Sequence, residues 1–164
     1  MRHPALGTLA FVLIVPMTVI VYVPRVLTHW ELSPPLFPGA RVVGIALLMV
    51  GLPLFVAFNL RFVREGYGTP APIAPTRHLV VGGPFRYVRN AGYIAVLALV
   101  AGQGLVLGST RVFAYAVALF LLFHGFVVFY EEPTLRRRFG TEYDGYCRRV
   151  PRWIPHVRGQ RRRR

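Results

Sequence analysis

Two clusters of polar residues stand out in a chain otherwise dominated by apolar side chains, and their types and spacing limit the chemistry available. The first is the run Gly82-Gly83-Pro84-Phe85-Arg86-Tyr87-Val88-Arg89-Asn90-Ala91-Gly92-Tyr93. Two guanidinium groups and an amide precede an apolar stretch whose unpaired helix N-terminal amides would add donors, a combination suited to a carboxylate or a phosphate. Arginines at the end of a membrane span can also simply snorkel and set topology, so the run admits both readings. The second cluster is Glu131-Glu132, with His124 seven residues earlier. At 3.6 residues per turn, His124 and Glu131 fall on one helix face. Adjacent carboxylates call for a positive partner. Arg86 or Arg89 would supply it from within the chain, and a ligand amine would supply it from outside. His124 fits equally well a core histidine bonded to Asn59 or Gln103.

Other chemistries are poorly served. Cys147 is the only cysteine, and there is no His-Glu-x-x-His run or Cys/His spacing for a metal. Asp144 is the only aspartate, which makes a nucleophilic triad unattractive, and no glycine-rich nucleotide fingerprint follows a strand.

The elements that must position these clusters are apolar helices. Of the 164 residues 54% are apolar, yet the formal charge is +14, so the two kinds of residue must be segregated along the chain. Fixed charge is absent from 4–24, 42–60, 90–110 and 112–130. Each stretch is long enough to cross about 30 Å of hydrocarbon as a helix rising about 1.5 Å per residue. Helices of a soluble bundle would carry charge on the face that meets water, and these carry none on any face. The first stretch is too long, and too poor in early positive charge, for a cleaved signal peptide. The expected fold is therefore all-α: a polytopic integral membrane protein with about four transmembrane helices and a short cytoplasmic C-terminal helical cap. The whole chain, 1–164, forms one membrane domain, with 131–155 as the cap segment and 156–164 as a basic tail.

All 20 basic residues are arginine; four spans place seventeen of them on one side and only Arg25, Arg41 and Arg111 on the other. The positive-inside bias puts both termini and the central loop in the cytoplasm, with a bacterial inner membrane as the expected location. The short link Gly108-Ser109-Thr110-Arg111 predicts an antiparallel hairpin of the third and fourth spans. Ala98 with Gly102, Gly104 with Gly108, and Ala114 with Ala118 have the small-residue spacing that permits close helix approach. Pro16 and Pro53 should kink the first two spans. The loop from Gly66 to Gly83, rich in proline and glycine, should be irregular. Pro133 suits the start of a new short helix over 134–139 that Gly140 would end. Thr141 with Asp144 forms a possible capping box for a helix over 142–149, which Pro151 stops. The aromatic residues of 143–154 suit a segment lying against the membrane face.

The run from Gly83 to Tyr93 is followed by Glu131-Glu132-Pro133-Thr134-Leu135, then by Phe139-Gly140-x-x-Tyr143-x-x-Tyr146 and Val150-Pro151-Arg152-x-x-Pro155. This succession resembles the isoprenylcysteine carboxyl methyltransferase and phospholipid methyltransferase superfamily over about 83–155. The resemblance implies an integral membrane methyltransferase using S-adenosyl-L-methionine in a cytoplasmic pocket. Arg89, Asn90 and Tyr93 match the family's Arg-His-Pro-x-Tyr motif, and Glu131 and Glu132 match its acidic pair. Asn90 replaces the usual histidine and Ala91 the usual proline, so position 90 can hydrogen-bond but cannot titrate near neutrality.

Carried over, the resemblance makes Arg89, Asn90, Glu131 and Glu132 the candidate catalytic residues. Gly83, Arg86, Arg89, Asn90, Tyr93, His124, Glu131, Glu132, Tyr143 and Tyr146 become the candidate cofactor-binding set. Arginines, glutamates and aromatic rings match the carboxylate, the cationic groups and the adenine of that cofactor. The expected acceptor is a hydrophobic or amphiphilic molecule from the bilayer, a lipid or isoprenoid type bearing a carboxylate or an amine. The basic tail is expected to meet anionic lipid headgroups, and no nucleic acid is expected. Oligomeric state is not legible. The reading from a different class is a small membrane transporter or channel subunit without catalytic activity, its path lined by His124, Asn59 and Gln103.

Overall fold

The computed structural model describes residues 14–65, Leu79 and 81–155. Among these residues the regular structure is entirely helical. Helix α1 is Ile14–Thr28 and α2 is Ala40–Glu65. A 3₁₀ turn, Gly83–Arg86, leads into α3, Ala91–Leu107. The hairpin partner α4 is Thr110–Phe139, and α5, Thr141–Arg149, ends the regular structure. The start of the first apolar stretch, most of the proline-rich loop and the basic tail lie outside the described residues.

Missing side chains bring α2 and α3 together. A Cβ on Gly44 would lie 2.7 Å from the Gly102 carbonyl oxygen, and one on Gly102 would lie 2.9 Å from that of Gly44. Farther along the crossing, Gly51 rests on Ala98 and Leu99. Ala98 and Gly102 thus face α2, whereas Gly104 packs on the first turn of α4, beside Phe113. Gly108 adopts φ +70 and lies against the Ser33 and Pro34 carbonyls, a place and a conformation that exclude a side chain. Ser109 caps α4 by accepting from the Val112 amide at 3.3 Å. Ala114 and Ala118, by contrast, are exposed, and α4 packs inward through Val112, Ala116 and Leu119.

Two helices contain wide π turns, Thr18–Tyr22 in α1 and Val127–Glu131 in α4. In each, a proline follows two positions after the turn, Pro24 and Pro133. Proline has no amide to offer the carbonyl one turn back. In α1 the carbonyls so released are taken by other helices: Gln103 Nε2 donates to the Ile20 oxygen at 2.9 Å and Tyr115 Oη to the Val19 oxygen at 3.3 Å. In α4 Thr134 Oγ1 donates to the Tyr130 oxygen at 2.7 Å, one position past the Phe129 carbonyl that Pro133 cannot serve in an α register. The helix therefore runs on through Pro133, where the sequence suggested a break and a fresh start. Helix α2 likewise continues through Pro53.

Ala40–Leu60 and Thr110–Phe139 are long and apolar enough to cross a membrane, and Ile14–Thr28 and Ala91–Leu107 are shorter apolar helices. The outward faces are apolar as well: Val42 is 71% exposed, Leu122 66% and Phe129 83%. Helix α5 carries no capping box. Its N-cap is Gly140 at φ +51, and Asp144 instead accepts from Arg136 Nε at 3.2 Å. Within 143–154, Tyr143, Tyr146 and Val150 turn inward and form a small core with Leu79, Leu135 and Phe139, while Ile154 is exposed.

Candidate functional site

The N-terminal end of α3 and the far end of α4 converge, and the segment after α5 ties them together. The Arg89 amide donates to the Pro151 oxygen at 2.9 Å, and Asn90 Nδ2 donates to the Arg152 oxygen at 3.1 Å. Tyr146 Oη donates to the Phe85 oxygen at 2.8 Å, fixing the 3₁₀ turn. Arg152 then reaches the acidic pair itself, with Nε 2.7 Å from Glu132 Oε1 and Nη2 2.9 Å from Oε2. This two-pronged geometry is the strong form of an arginine–carboxylate contact.

The two glutamates have different surroundings. Glu132 is only 4% exposed and is surrounded by guanidinium groups: besides Arg152, Arg89 Nη1 lies 3.0 Å from Oε1 and Arg136 Nη2 4.0 Å from Oε2. Burial alone would raise its pKa. The hydrogen bond from Arg152 and the charges of Arg89, Arg152 and Arg136 outweigh that and hold the carboxyl below its ordinary value. Glu131 has no cationic partner among the described residues. Its Oε2 accepts from Tyr93 Oη at 3.0 Å.

Glu131 also borders a cavity of about 420 Å³. Asn59, Arg89, Asn90 and Tyr93 join it at the polar end. The rest is apolar or aromatic, with Val15, Pro16 and Val19 from α1, Phe55 and Phe58 from α2, Phe85, and Leu122, Phe123 and Phe126 from α4. Gly92 is part of this wall, since a Cβ there would fall 2.7 Å from the Phe58 ring. Tyr93 and Phe123 stack with ring centroids 4.8 Å apart. Such a hollow, largely apolar with a few convergent polar groups, has the size and character of a small-molecule site.

Of the residues singled out from the sequence, Arg89, Asn90, Tyr93 and Glu131 line this cavity. Glu132 stands beside it in the arginine cage. Arg89 Nη1 is shared between Glu132 and Cys147 Sγ, the latter at 2.7 Å, while its buried Nε has no hydrogen-bond partner. Gly83, at φ +60, shapes the 3₁₀ turn, and Arg86 is exposed. Tyr143 and Tyr146 belong to the cap core, where burial pushes both phenols well above the ordinary tyrosine range and keeps them neutral.

His124 lies elsewhere. Its Nδ1 accepts from Trp153 Nε1 at 3.0 Å, and the two rings group with Phe120. Neither Asn59 nor Gln103 is its partner: Asn59 bonds the Phe55 oxygen, and Gln103 the Ile20 and Leu99 oxygens. The π turn between His124 and Glu131 is the reason the two do not share a face, because wider turns advance the helix less per residue than the 3.6-residue repeat assumes. Arg152 and Trp153 are the residues whose roles were missed, although both lie in the Val150–Pro155 motif; nothing in their spacing shows that Arg152 reaches back twenty positions to Glu132.

The chain matches the family model described as PEMT, phospholipid methyltransferase, over residues 40–142, more than half its length. No match is found among curated proteins or solved structures.

Proposed function

Because the chain belongs to the phospholipid methyltransferase family, we propose that it transfers a methyl group from S-adenosyl-L-methionine to a membrane-embedded lipid or isoprenoid-type acceptor bearing a carboxylate or an amine. In this reading α1–α3 and the 112–130 part of α4 span the bilayer, and the acidic pair, the rest of α4 and the cap lie beyond it on the cytoplasmic side. The apolar outward faces of α2 and α4 support this, as does the concentration of Arg136, Arg137, Arg138, Arg148, Arg149 and Arg152 at one end.

The observation that carries the proposal is Glu131 in the wall of the apolar cavity, hydrogen-bonded to a neutral tyrosine and without a cationic partner among the described residues. A carboxylate that is half-buried and unneutralised favours a positively charged ligand. The residues present fit the cofactor: Glu131 would hold its positive groups, Phe58, Phe85, Tyr93 and Phe123 offer aromatic walls, and the Arg89 Nε, without a partner among the described residues, would be a donor. Most of the charge of Arg89 is spent on Glu132, so its main role becomes holding the acidic pair and α3 in register rather than clasping an open anion. When bound, S-adenosyl-L-methionine supplies an electrophilic methyl carbon on a sulfonium. The chain's own work is to orient that group, exclude water with its aromatic walls and present the acceptor in line. A carboxylate acceptor needs no proton removed. An ammonium acceptor must lose one, and Glu131 is the base within the cavity.

The acceptor's tail belongs in the apolar part between α1, α2 and α4, since moving it into water would cost about 0.8 kcal/mol per CH₂. The transporter reading needs His124, Asn59 and Gln103 along one path, whereas each is engaged separately, His124 with Trp153, Asn59 with Phe55, and Gln103 with Ile20 and Leu99. The test is to incubate membranes containing the protein with methyl-labelled cofactor and extract the lipids. Label should enter an extractable product, base-labile if an ester and stable if an amine. Incorporation no greater than in membranes carrying E131A would sink the proposal.

A further inference from the structure

The wide turn Val127–Glu131 is followed by Glu132 and then by Pro133, and α1 repeats the arrangement, with Thr18–Tyr22 followed by Val23 and then Pro24. In both, the residue between turn and proline closes the turn with its own amide: Val23 N donates to the Thr18 oxygen and Glu132 N to the Val127 oxygen, each five positions back. Pro133 does not line the cavity and has no group to pair with the arginines, yet it determines what the turn before it can do. In an unbroken α-register its missing amide would leave the Phe129 carbonyl without a donor, and its ring would press on that carbonyl.

A π turn behaves as one residue inserted into an α-helix. Glu131 is thereby swung by roughly a quarter of a turn from where the 3.6-residue repeat would put it. Without the extra residue absorbed there, Glu131 would share the face of His124, which packs on Trp153 and Phe120. With it, Glu131 meets Tyr93 and Glu132 meets Arg89 and Arg152.

We propose that Pro133 is a positioning residue: by withholding an amide it holds the π turn open, and the turn aims Glu131 into the cavity and Glu132 at the arginines. The inference rests on the cofactor reading given above for its activity readout, but its geometry stands apart from that reading. Proline permits such a turn without compelling it, as α2 passes through Pro53 in α-helical form; Thr134, whose hydroxyl caps the Tyr130 carbonyl, completes the device in α4.

The test uses the full chain, purified in detergent, as wild type, P133A, and P133A with Val128 deleted. Restoring the amide lets the turn tighten to α and swings both glutamates away, whereas deleting one residue returns them to their present faces. Affinity for S-adenosyl-L-methionine by calorimetry should fall about tenfold or more in P133A and return to within about threefold of wild type in the deletion background. A merely structural proline would give a deletion variant worse than P133A. A second readout needs no cofactor: Y93C with E131C in a C147S background, bridged by a short thiol cross-linker, should cross-link with Pro133 present, fail in P133A and recover on deletion. P133S serves if P133A does not fold. Wild-type binding with unchanged P133A, or a P133A defect that deletion does not restore, overturns the proposal. Absence of wild-type binding with the cross-linking pattern intact overturns the cofactor reading alone.

Discussion

Tyr93 on α3 donates its hydroxyl to Glu131 on α4 over 3.0 Å, and that bond is the one polar link between the two helices at the cavity wall among the described residues. It leaves Glu131 without a cationic partner among the described residues, while Glu132, one residue later, is fully engaged by arginines. The acidic pair is thus divided between a carboxylate held by arginines and a carboxylate that faces the cavity.

Y93F removes the donor without emptying the space. An unsatisfied buried carboxylate oxygen costs about 1–3 kcal/mol, so the free protein should melt at a lower temperature. Added S-adenosyl-L-methionine should raise that temperature more in Y93F than in E131Q, since Y93F keeps the charge. Thermal unfolding with and without cofactor reads both effects.

Removing Glu132 should hurt stability far more than removing its outermost partner. E132A leaves Arg89, whose side chain is 12% exposed, without its carboxylate, and breaking a buried pair in this way costs about 3–5 kcal/mol. Arg136 is half-exposed and 4.0 Å away, so R136A should cost about 1 kcal/mol or less. Denaturation of the two variants side by side gives the ranking.

The depressed pKa of Glu132 sets the sign of an acid effect. A carboxyl that is more acidic folded than unfolded contributes fully above its ordinary value of about 4.3, and that contribution is lost as pH falls through the folded value. Wild type should therefore lose melting temperature below about pH 4.3, and E132Q should start lower and show a shallower loss over the same range.

At the α2–α3 crossing, G44A should destabilise by about 1–3 kcal/mol, because its methyl meets the Gly102 backbone and neither helix can give way locally. A118L, on the exposed face of α4, should leave the melting temperature unchanged.

Much of this was legible from residue types. Long uncharged stretches forced helices, the short Gly108–Arg111 link forced the hairpin, and the Arg89–Tyr93 run and Glu131 both border the cavity. What was not legible depends on register and on distant partners. The face shared by His124 and Glu131 assumed a uniform helix, and the π turn before Pro133 undoes that assumption. For Arg89 the sequence left open a ligand anion or the acidic pair. That it is largely spent on Glu132 depends on how α3 meets α4, and that Arg152 shares the task depends on how the chain folds back after Pro151. Ala114 and Ala118 had the spacing of a packing face, but spacing does not say which side of a helix meets a neighbour.

The most direct measurement is calorimetric titration of S-adenosyl-L-methionine into the purified, folded full chain and into E131Q. The account predicts saturable binding by wild type and an affinity lower by about tenfold or more in E131Q, the expected scale for losing one charge-assisted contact, with little change in melting temperature of the ligand-free protein. Equal affinity in the two proteins, or no binding by wild type, would contradict it.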